Sequence, residues 1–420
     1  VSPAPDALSP SHADWGILAV FAVVYVGMFL GGLPKLRLDR TGVAVLGAIA
    51  VLPLTGWGVR EAAQAVDGPT LVLLFSFMVL AAQMQLGGFF GEVARRVGAL
   101  PGSGPSLLAA LLAVSAALSA VFTNDVVCLA VTPVVVALCR QRGLPPLPFL
   151  VGLACAANIG SAATLIGNPQ NMLIGSVLAL DFGGYLAIAI GPVLLSLVCL
   201  WVWLVHGTGR AGWAERAPAA TVTDASPPFD AWQSAKGLAV ALALLVVFLA
   251  TDLPRELAAL VGAGLLLLSR RLHSSEVMGR VDGALLLLFI GLFVVNHAFQ
   301  STGLAAQAVT WAGTQGLHLH EPGTLTVVSV VLSNVVSNVP AVMLLLPHLG
   351  TDPQQAGVLL ALVSTLAGNV LLVGSIANLI VVDLAAKQGV AIDWRQHLRL
   401  AGPAALSSLA ITWGWLAMAR

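Results

Sequence analysis

The chain has 420 residues, of which 58% are hydrophobic and only 9% charged. A water-soluble domain carries about 25% charged residues, so this composition excludes a soluble globular protein and fits a chain that repeatedly crosses a hydrocarbon core of ~30 Å. Its 19 Lys and Arg balance 19 Asp and Glu without a basic run, which excludes nucleic acid as a partner, and its four cysteines sit in apolar segments without metal-ligand spacing.

The opening VSPAPDALSPSHAD holds no Lys or Arg, so the apolar run after it lacks the basic flank of a cleaved signal and reads as a retained helix. Full spans are predicted at 15–33, 42–58 and 69–87. The next apolar tract, 105–139, is interrupted by Thr123, Asn124 and Asp125 and reads as a re-entrant hairpin. A broken helix at 148–180 contains NIGSAATLIGNPQN, and a span at 183–205 closes a first repeat of residues 15–205. Residues 206–235, rich in Ala, Pro, Ser and Thr, read as a cytoplasmic linker. The second repeat, 236–420, offers spans at 236–251, 256–269 and 282–301. A second hairpin at 323–349, a broken helix at 354–386 containing GNVLLVGSIAN, and a span at 400–418 complete it.

The predicted fold is thus an all-α polytopic membrane protein with about ten transmembrane helices, two re-entrant hairpins and two helices broken near the midplane. With both tracts folded back as hairpins, every Lys and Arg except Arg60, Arg255 and Arg420 falls on the cytoplasmic side. That bias places both termini outside and makes the two repeats run in opposite directions across the membrane. Inverted repeats with interrupted helices mark secondary transporters, whose binding site lies near the midplane.

Helix breaks inside hydrocarbon persist only where protein or a wet cavity meets the freed backbone groups, each of which otherwise costs several kcal/mol. Gly167, Asn168 and Asn171 in the first break and Gly374, Ser375 and Asn378 in the second supply unusual backbone freedom, amides and a hydroxyl. Asn158, Gly160, Ser161, Thr164, Gly368 and Asn369 line the approach, although Gly, Ser and Thr also serve close helix packing in any membrane bundle. At the tips, Ser337, Asn338 and Pro340 oppose Thr123, Asn124 and Asp125. A carboxylate at a helix centre costs ~2.5–3.5 kcal/mol on insertion scales, so Asp125 needs a reason. It could cap the returning helix or be held neutral by desolvation, but a residue whose charge changes, binding a cation or carrying a proton, explains it best. Asn296 and His297 interrupt the span at 282–301, where a lone His is more often packed or interfacial than a relay.

FTNDVVCLAVTP with NIGSAATLIGNPQN, then SNVPAVMLLLP with GNVLLVGSIANLIV, resembles the ion transporter superfamily, most closely the ArsB/NhaD-type permeases and their citrate- and dicarboxylate-transporting relatives. The resemblance covers about residues 15–418. It implies that Thr123, Asn124, Asp125 and Asn168 form one cation or substrate site and that Ser337, Asn338, Gly374 and Asn378 form the other. It also implies an elevator-like motion of hairpins and broken helices against a scaffold, with amphipathic arms near 88–98 and 304–317 as levers. The third tip positions are Asp125 and Val339, where the carboxylate-transporting relatives carry threonine.

The expected function is secondary active transport of a small inorganic or oxyanion-type solute, with arsenite or antimonite efflux foremost, coupled to H⁺ or Na⁺ and needing no cofactor. A Na⁺-coupled carboxylate or anion importer and a Na⁺/H⁺ antiporter are the alternatives. A membrane-embedded hydrolase would need a second deep acid or a metal cluster that the sequence does not offer. The partners are the solute and the bilayer of a bacterial-type inner membrane; the resemblance admits a homodimer. No GxxxxGK[ST] is present, so an arsenite pump would draw on a separate ATPase subunit.

Overall fold

In the computed structural model, which describes residues 11–33, 36–213, 228–350 and 352–418, helices follow the apolar segments. The first half contains α1 (His12–Leu30), α2 (Arg40–Thr55), α3 (Val59–Gln64), α4 (Gly68–Leu86) and α5 (Phe89–Gly98). It continues with α6 (Gly104–Val121), α7 (Asn124–Gln141), α8 (Pro146–Ser161), α9 (Pro169–Val177) and α10 (Phe182–Gly212). The second half contains α11 (Ala231–Ala250), α12 (Arg255–Leu267), α13 (Ser274–Met278), α14 (Gly283–Ser301) and α15 (Leu304–Thr314). Then come α16 (Pro322–Val336), α17 (Asn338–Leu345), α18 (Pro353–Ala367), α19 (Ile376–Lys387) and α20 (Trp394–Met418). The one β element among the described residues is a two-residue antiparallel ladder, Gly32–Leu33 against Leu38–Asp39, which an all-helical expectation omits.

The acidic residues show why the helices begin where they do. Asp39, Asp67, Asp230, Asp282 and Asp352 each stand at the N-cap of α2, α4, α11, α14 and α18 and accept a backbone N–H of the first turn. A capping carboxylate satisfies an orphan donor and favours the positive end of the helix. Asp230 also shortens the predicted linker: its Oδ1 takes the N–H groups of Trp232 and Gln233, so α11 starts at Ala231. No proline interrupts 206–212, and α10 runs on through those residues. The middle of the linker, 214–227 with Arg216, lies outside the described residues, as do Lys35 and Arg420.

The element order repeats. Helices α1 to α10 are followed by α11 to α20 in the same sequence of long span, short span, short helix, long span, arm, hairpin, broken pair and long closing helix. The packing repeats with it: α2 lies on α14 as α12 lies on α4, α6 on α8 as α16 on α18, and α7 on α19 as α17 on α9. Helices α10 and α20 pack on each other. Buried Val, Leu, Ile, Phe and Ala from both halves form one large core, beside a small second cluster of Ile17, Val51, Val294, Ala298 and Phe299.

Eight described helices are long and apolar enough to cross a membrane, and this set includes both arms of the first hairpin, α6 and α7. At 18 residues each, these arms reach about 27 Å. The second hairpin is shorter, with 15 residues in α16 and 8 in α17 before a 3₁₀ turn at Leu346–His348. Helices α2 and α12 and the two broken helices fall below full spanning length.

The breaks also sit slightly earlier than the motifs suggest. Residues 162–168 and 368–375 separate the helix pairs, whereas Pro169, Gln170 and Asn171 already form the first turn of α9. Proline lacks a donor that the first turn leaves unpaired anyway, so Pro169 starts this helix instead of breaking one.

Candidate functional site

The first hairpin turns at Thr123, the N-cap of α7, whose side chain makes no capping bond. The turn is held from the backbone: the Asn124 N–H donates to the Gly167 carbonyl at 3.2 Å, so tip and break of the same half meet. The Asn124 amide donates to Asn158 Oδ1 at 2.7 Å, while its own buried Oδ1 finds no protein donor. Asp125, in the first turn of α7, is half-buried and makes no hydrogen bond or ion pair with a described residue. The aspartates that cap helices are engaged; Asp125 is not.

Asn158 is the junction. Its Oδ1 accepts from Asn124 and from the Ser375 hydroxyl at 3.1 Å. Its Nδ2 donates to Asn369 at 2.7 Å and Asn378 at 3.3 Å. One fully buried carboxamide on α8 thereby joins the first tip to the second-half break. Asn369 passes the connection on, donating to the Cys155 carbonyl, while its own carbonyl meets Nε2 of buried His397 at 3.2 Å. Asn378 closes the second break by donating to the Gly368 and Leu371 carbonyls.

The first break is braced likewise. The Asn168 Oδ1 caps α9 at the Asn171 N–H, and its amide reaches the Ser161 hydroxyl at 3.0 Å and Thr365 at 3.3 Å. Gln170 also donates to Thr365, and the Thr365 hydroxyl lies 3.3 Å from Asn171 Oδ1. Asn171 donates to the Thr164 carbonyl and to Tyr185, whose hydroxyl donates to the Ala162 carbonyl. The Thr164 hydroxyl ties the break to α6 through the Ala120 carbonyl at 2.6 Å. Gly160 and Gly167 take packing roles: a Cβ on Gly160 would run into the Ala116 backbone, and one on Gly167 into the Ser161 carbonyl.

The second tip turns differently. Ser337 adopts φ 75 and ψ 162, a region that residues with a Cβ rarely occupy. The Asn338 amide, in the orientation that gives its nitrogen acceptors, lies 3.0 Å from the Ser364 carbonyl and 3.3 Å from that of Gly374. Gly368 leaves room for it, since a Cβ there would approach the Asn338 carboxamide to 3.0 Å. The Pro340 carbonyl accepts from the Tyr25 hydroxyl, which also donates to Asn296 Oδ1 at 2.8 Å.

The two halves thus use one scheme twice. Asn158 of α8 reaches Asn378 of α19, and Thr365 of α18 reaches Asn171 of α9. Sequence reading missed Thr365, His397, Tyr185 and Tyr25. A usable signal existed for the last two: the chain has only two tyrosines, and the hydroxyl of each meets a break or a tip. It also missed a sharper repeat, SAALSAVFTN (115–124) against SVVLSNVVSN (329–338). Four of its serines, Ser115, Ser119, Ser329 and Ser333, are buried with hydroxyls that bond to no described residue. Ser76, Thr132 and Ser408, by contrast, take the carbonyl four residues back, the usual outlet for a helical hydroxyl in an apolar setting.

Chemically, this arrangement offers carboxamides, hydroxyls, backbone carbonyls, one carboxylate and the His397 imidazole, without a Lys or Arg at either tip or break. Among the described residues no group of three or more His, Cys, Asp or Glu could hold a metal ion. A cation here would be met by one acid and neutral oxygens, and a solute by hydrogen bonds.

A sequence profile described as citrate transporter matches residues 17–367. The silicon efflux transporter LSI3 of Oryza sativa subsp. japonica is 28% identical, covering 87% of this chain and 89% of that protein. The inner membrane protein YbiR of Escherichia coli K12 is 33% identical, over 80% of this chain and 84% of its own. The crystal structure of the Alcanivorax borkumensis YdaH transporter shares the fold, with a TM-score of 0.54 and 16% identity over 97% of both chains. The profile spans most of the chain and the helices repeat around two tips and two breaks: this multi-pass membrane protein belongs to the citrate transporter family of the ion transporter superfamily.

Proposed function

We propose that the chain is a secondary active transporter that moves a small hydroxylated inorganic solute, arsenite or antimonite foremost, against H⁺ or Na⁺. The observation that carries this reading is the composition of the site. Asn124, Asn158, Asn168, Ser375 and Asn378 present hydrogen-bonding groups around tips and breaks that hold no Lys or Arg, while Asp125 stands unpaired beside them. Neutral As(OH)₃ is recognised by such groups without a counter-charge, and a silicon efflux transporter among the relatives handles an element of similar hydroxylated chemistry.

Asp125 is the coupling residue in this reading, taking up a proton or a cation as the solute crosses. The hairpins and broken helices, α6–α9 and α16–α19, move as an elevator against α1–α4 and α11–α14, with α5 and α15 as the linking arms. The distribution of Lys and Arg supports inverted repeats with both termini outside, and the bacterial relative YbiR supports an inner-membrane location.

The test is flux in proteoliposomes. Asp125→Asn preserves the shape of the side chain and is expected to abolish arsenite movement driven by a pH or Na⁺ gradient; unchanged flux would sink the proposal. The family description, citrate transporter, favours a second reading in which the solute is a carboxylate; we propose it in the form of Na⁺-coupled import. Thermal stabilisation by citrate or succinate in Na⁺, with none by arsenite or antimonite, would establish it instead.

A further inference from the structure

A cavity of about 370 Å³ lies between helices of both repeats, and neither Asn158 nor its four hydrogen-bond partners line it. Its floor contains Leu173 of α9 and Met343 of α17. Leu173 is five residues beyond Asn168, the end of the first break, and Met343 six beyond Ser337, so the cavity comes within about 7–9 Å along each helix axis of the first break and the second tip. The opposite wall includes Gln64 of α3, Asp67 at the start of α4, and Phe293, His297 and Gln300 of α14.

Although Val66, Leu173, Val177, Phe293, Leu346 and Pro347 make much of the lining apolar, polar groups also face this space. His297 is exposed although its neighbours Asn296 and Ala298 are buried, and its ring rests 5.3 Å from that of Trp57. Asp67 is half-buried and uses one carboxylate oxygen twice, accepting from the Thr70 N–H at 2.8 Å and the Ser176 hydroxyl at 3.1 Å. Its other oxygen makes no hydrogen bond with a described residue. Among the described residues no Lys or Arg lines the cavity. Arg255, the cation that reaches α9, is engaged with the Gly175 carbonyl, and neither it nor Arg60 is among the lining residues.

We infer that this cavity is a second binding position for the solute at the mouth served by the second hairpin, and that Asp67 makes it admit neutral hydroxylated molecules and reject anions. The inference rests on the transport reading above and narrows its substrate class. A neutral acid such as As(OH)₃ donates O–H groups to the free Asp67 oxygen, to the Gln64 and Gln300 carbonyls and to the imidazole. An oxyanion offers only acceptors there and meets a fixed negative charge in a half-enclosed space, where a charge acts more strongly than in bulk water.

Arsenate serves as the anionic probe, added to the detergent-purified protein at low salt while the melting midpoint is followed. Asp67→Asn keeps the helix cap, since Asn caps as well as Asp, but removes the charge. Gln64→Lys adds a cation to the same cavity without touching the cap. Both variants are expected to reach the half-maximal arsenate effect at about fivefold lower concentration than the wild type, a difference that collapses at high salt. Superimposable curves for all three proteins would overturn the inference. So would a shift in Asp67→Asn alone, which would mark a local effect of the cap. Flux separates the two claims: a wild type that moves neither arsenite nor silicic acid defeats the transport reading, while the arsenate titrations still decide the role of Asp67.

Discussion

The two hairpin tips share the pattern S-x-x-L-S-x-V-x-(T/S)-N, yet one turns without strain and the other does not. Thr123 takes φ −60 and ψ 139, an extended conformation open to any residue, and the charge follows it at Asp125. Ser337 takes φ 75 and ψ 162, and the corresponding third position is the apolar Val339. The strained tip is bonded to Tyr25 of α1, which also meets Asn296 of α14, whereas the first tip is bonded to the break and to α8 of its own half. The one carboxylate thus sits on relaxed backbone, while the neutral tip is strained and bonded to α1. Pseudo-symmetry of sequence therefore does not carry over into symmetry of charge or backbone geometry.

The sharpest way to break this comparison is to exchange the charge. The double variant Asp125→Val, Val339→Asp keeps composition constant and is expected to leave coupled flux at background, because the second tip lacks the surroundings of the first. Recovery of more than a tenth of wild-type flux would show the tips to be interchangeable.

Next comes the network. Asn158→Ala strips hydrogen bonds from four buried partners and is expected to destabilise the protein by about 2–4 kcal/mol, read as a lower melting midpoint in detergent. Thr365→Val removes the hydroxyl that meets Asn168, Gln170 and Asn171 and should cost less, about 1–2 kcal/mol. The reverse order would mean that the Thr365 side of the repeat is the structural one.

The smallest effects test the backbone. Ser337→Gly should raise stability by about 1 kcal/mol, as glycine accepts a positive φ without a clash, whereas Thr123→Gly should lower it by about 0.5–1 kcal/mol. Equal signs for the two would erase the distinction between relaxed and strained tips. Tyr25→Phe, which loses one hydroxyl with two acceptors, is expected to cost about 1 kcal/mol and to leave Asp125-dependent coupling intact.

Much of the architecture was legible because a bilayer reduces the problem to length and polarity. The span predicted at 282–301 is α14, and the tract at 105–139 became α6 and α7 with its turn at Thr123. The GNPQN run was legible as an interruption but not as a helix start, since proline signals both and only the capping geometry of Asn168 separates them. Thr365 was not legible at all. Its partners are about 195 residues away, and a threonine in an apolar helix looks the same whether it bonds its own turn or a distant loop.

The sequence by itself determined that this chain lives in a membrane, that its two halves repeat, and that Asp125 stands alone among its acids. Apolar length, motif order and the cost of a buried charge are local properties that any reader of the chain can weigh. Only the tertiary structure decided that Asn158 joins the first tip to the second break, that Ser337 bears the strained turn, and that Asp67 faces a cavity between the repeats. Those facts depend on which surfaces meet when two halves pack together. Hydrogen-bond partners separated by hundreds of residues leave no trace in either strand of sequence alone.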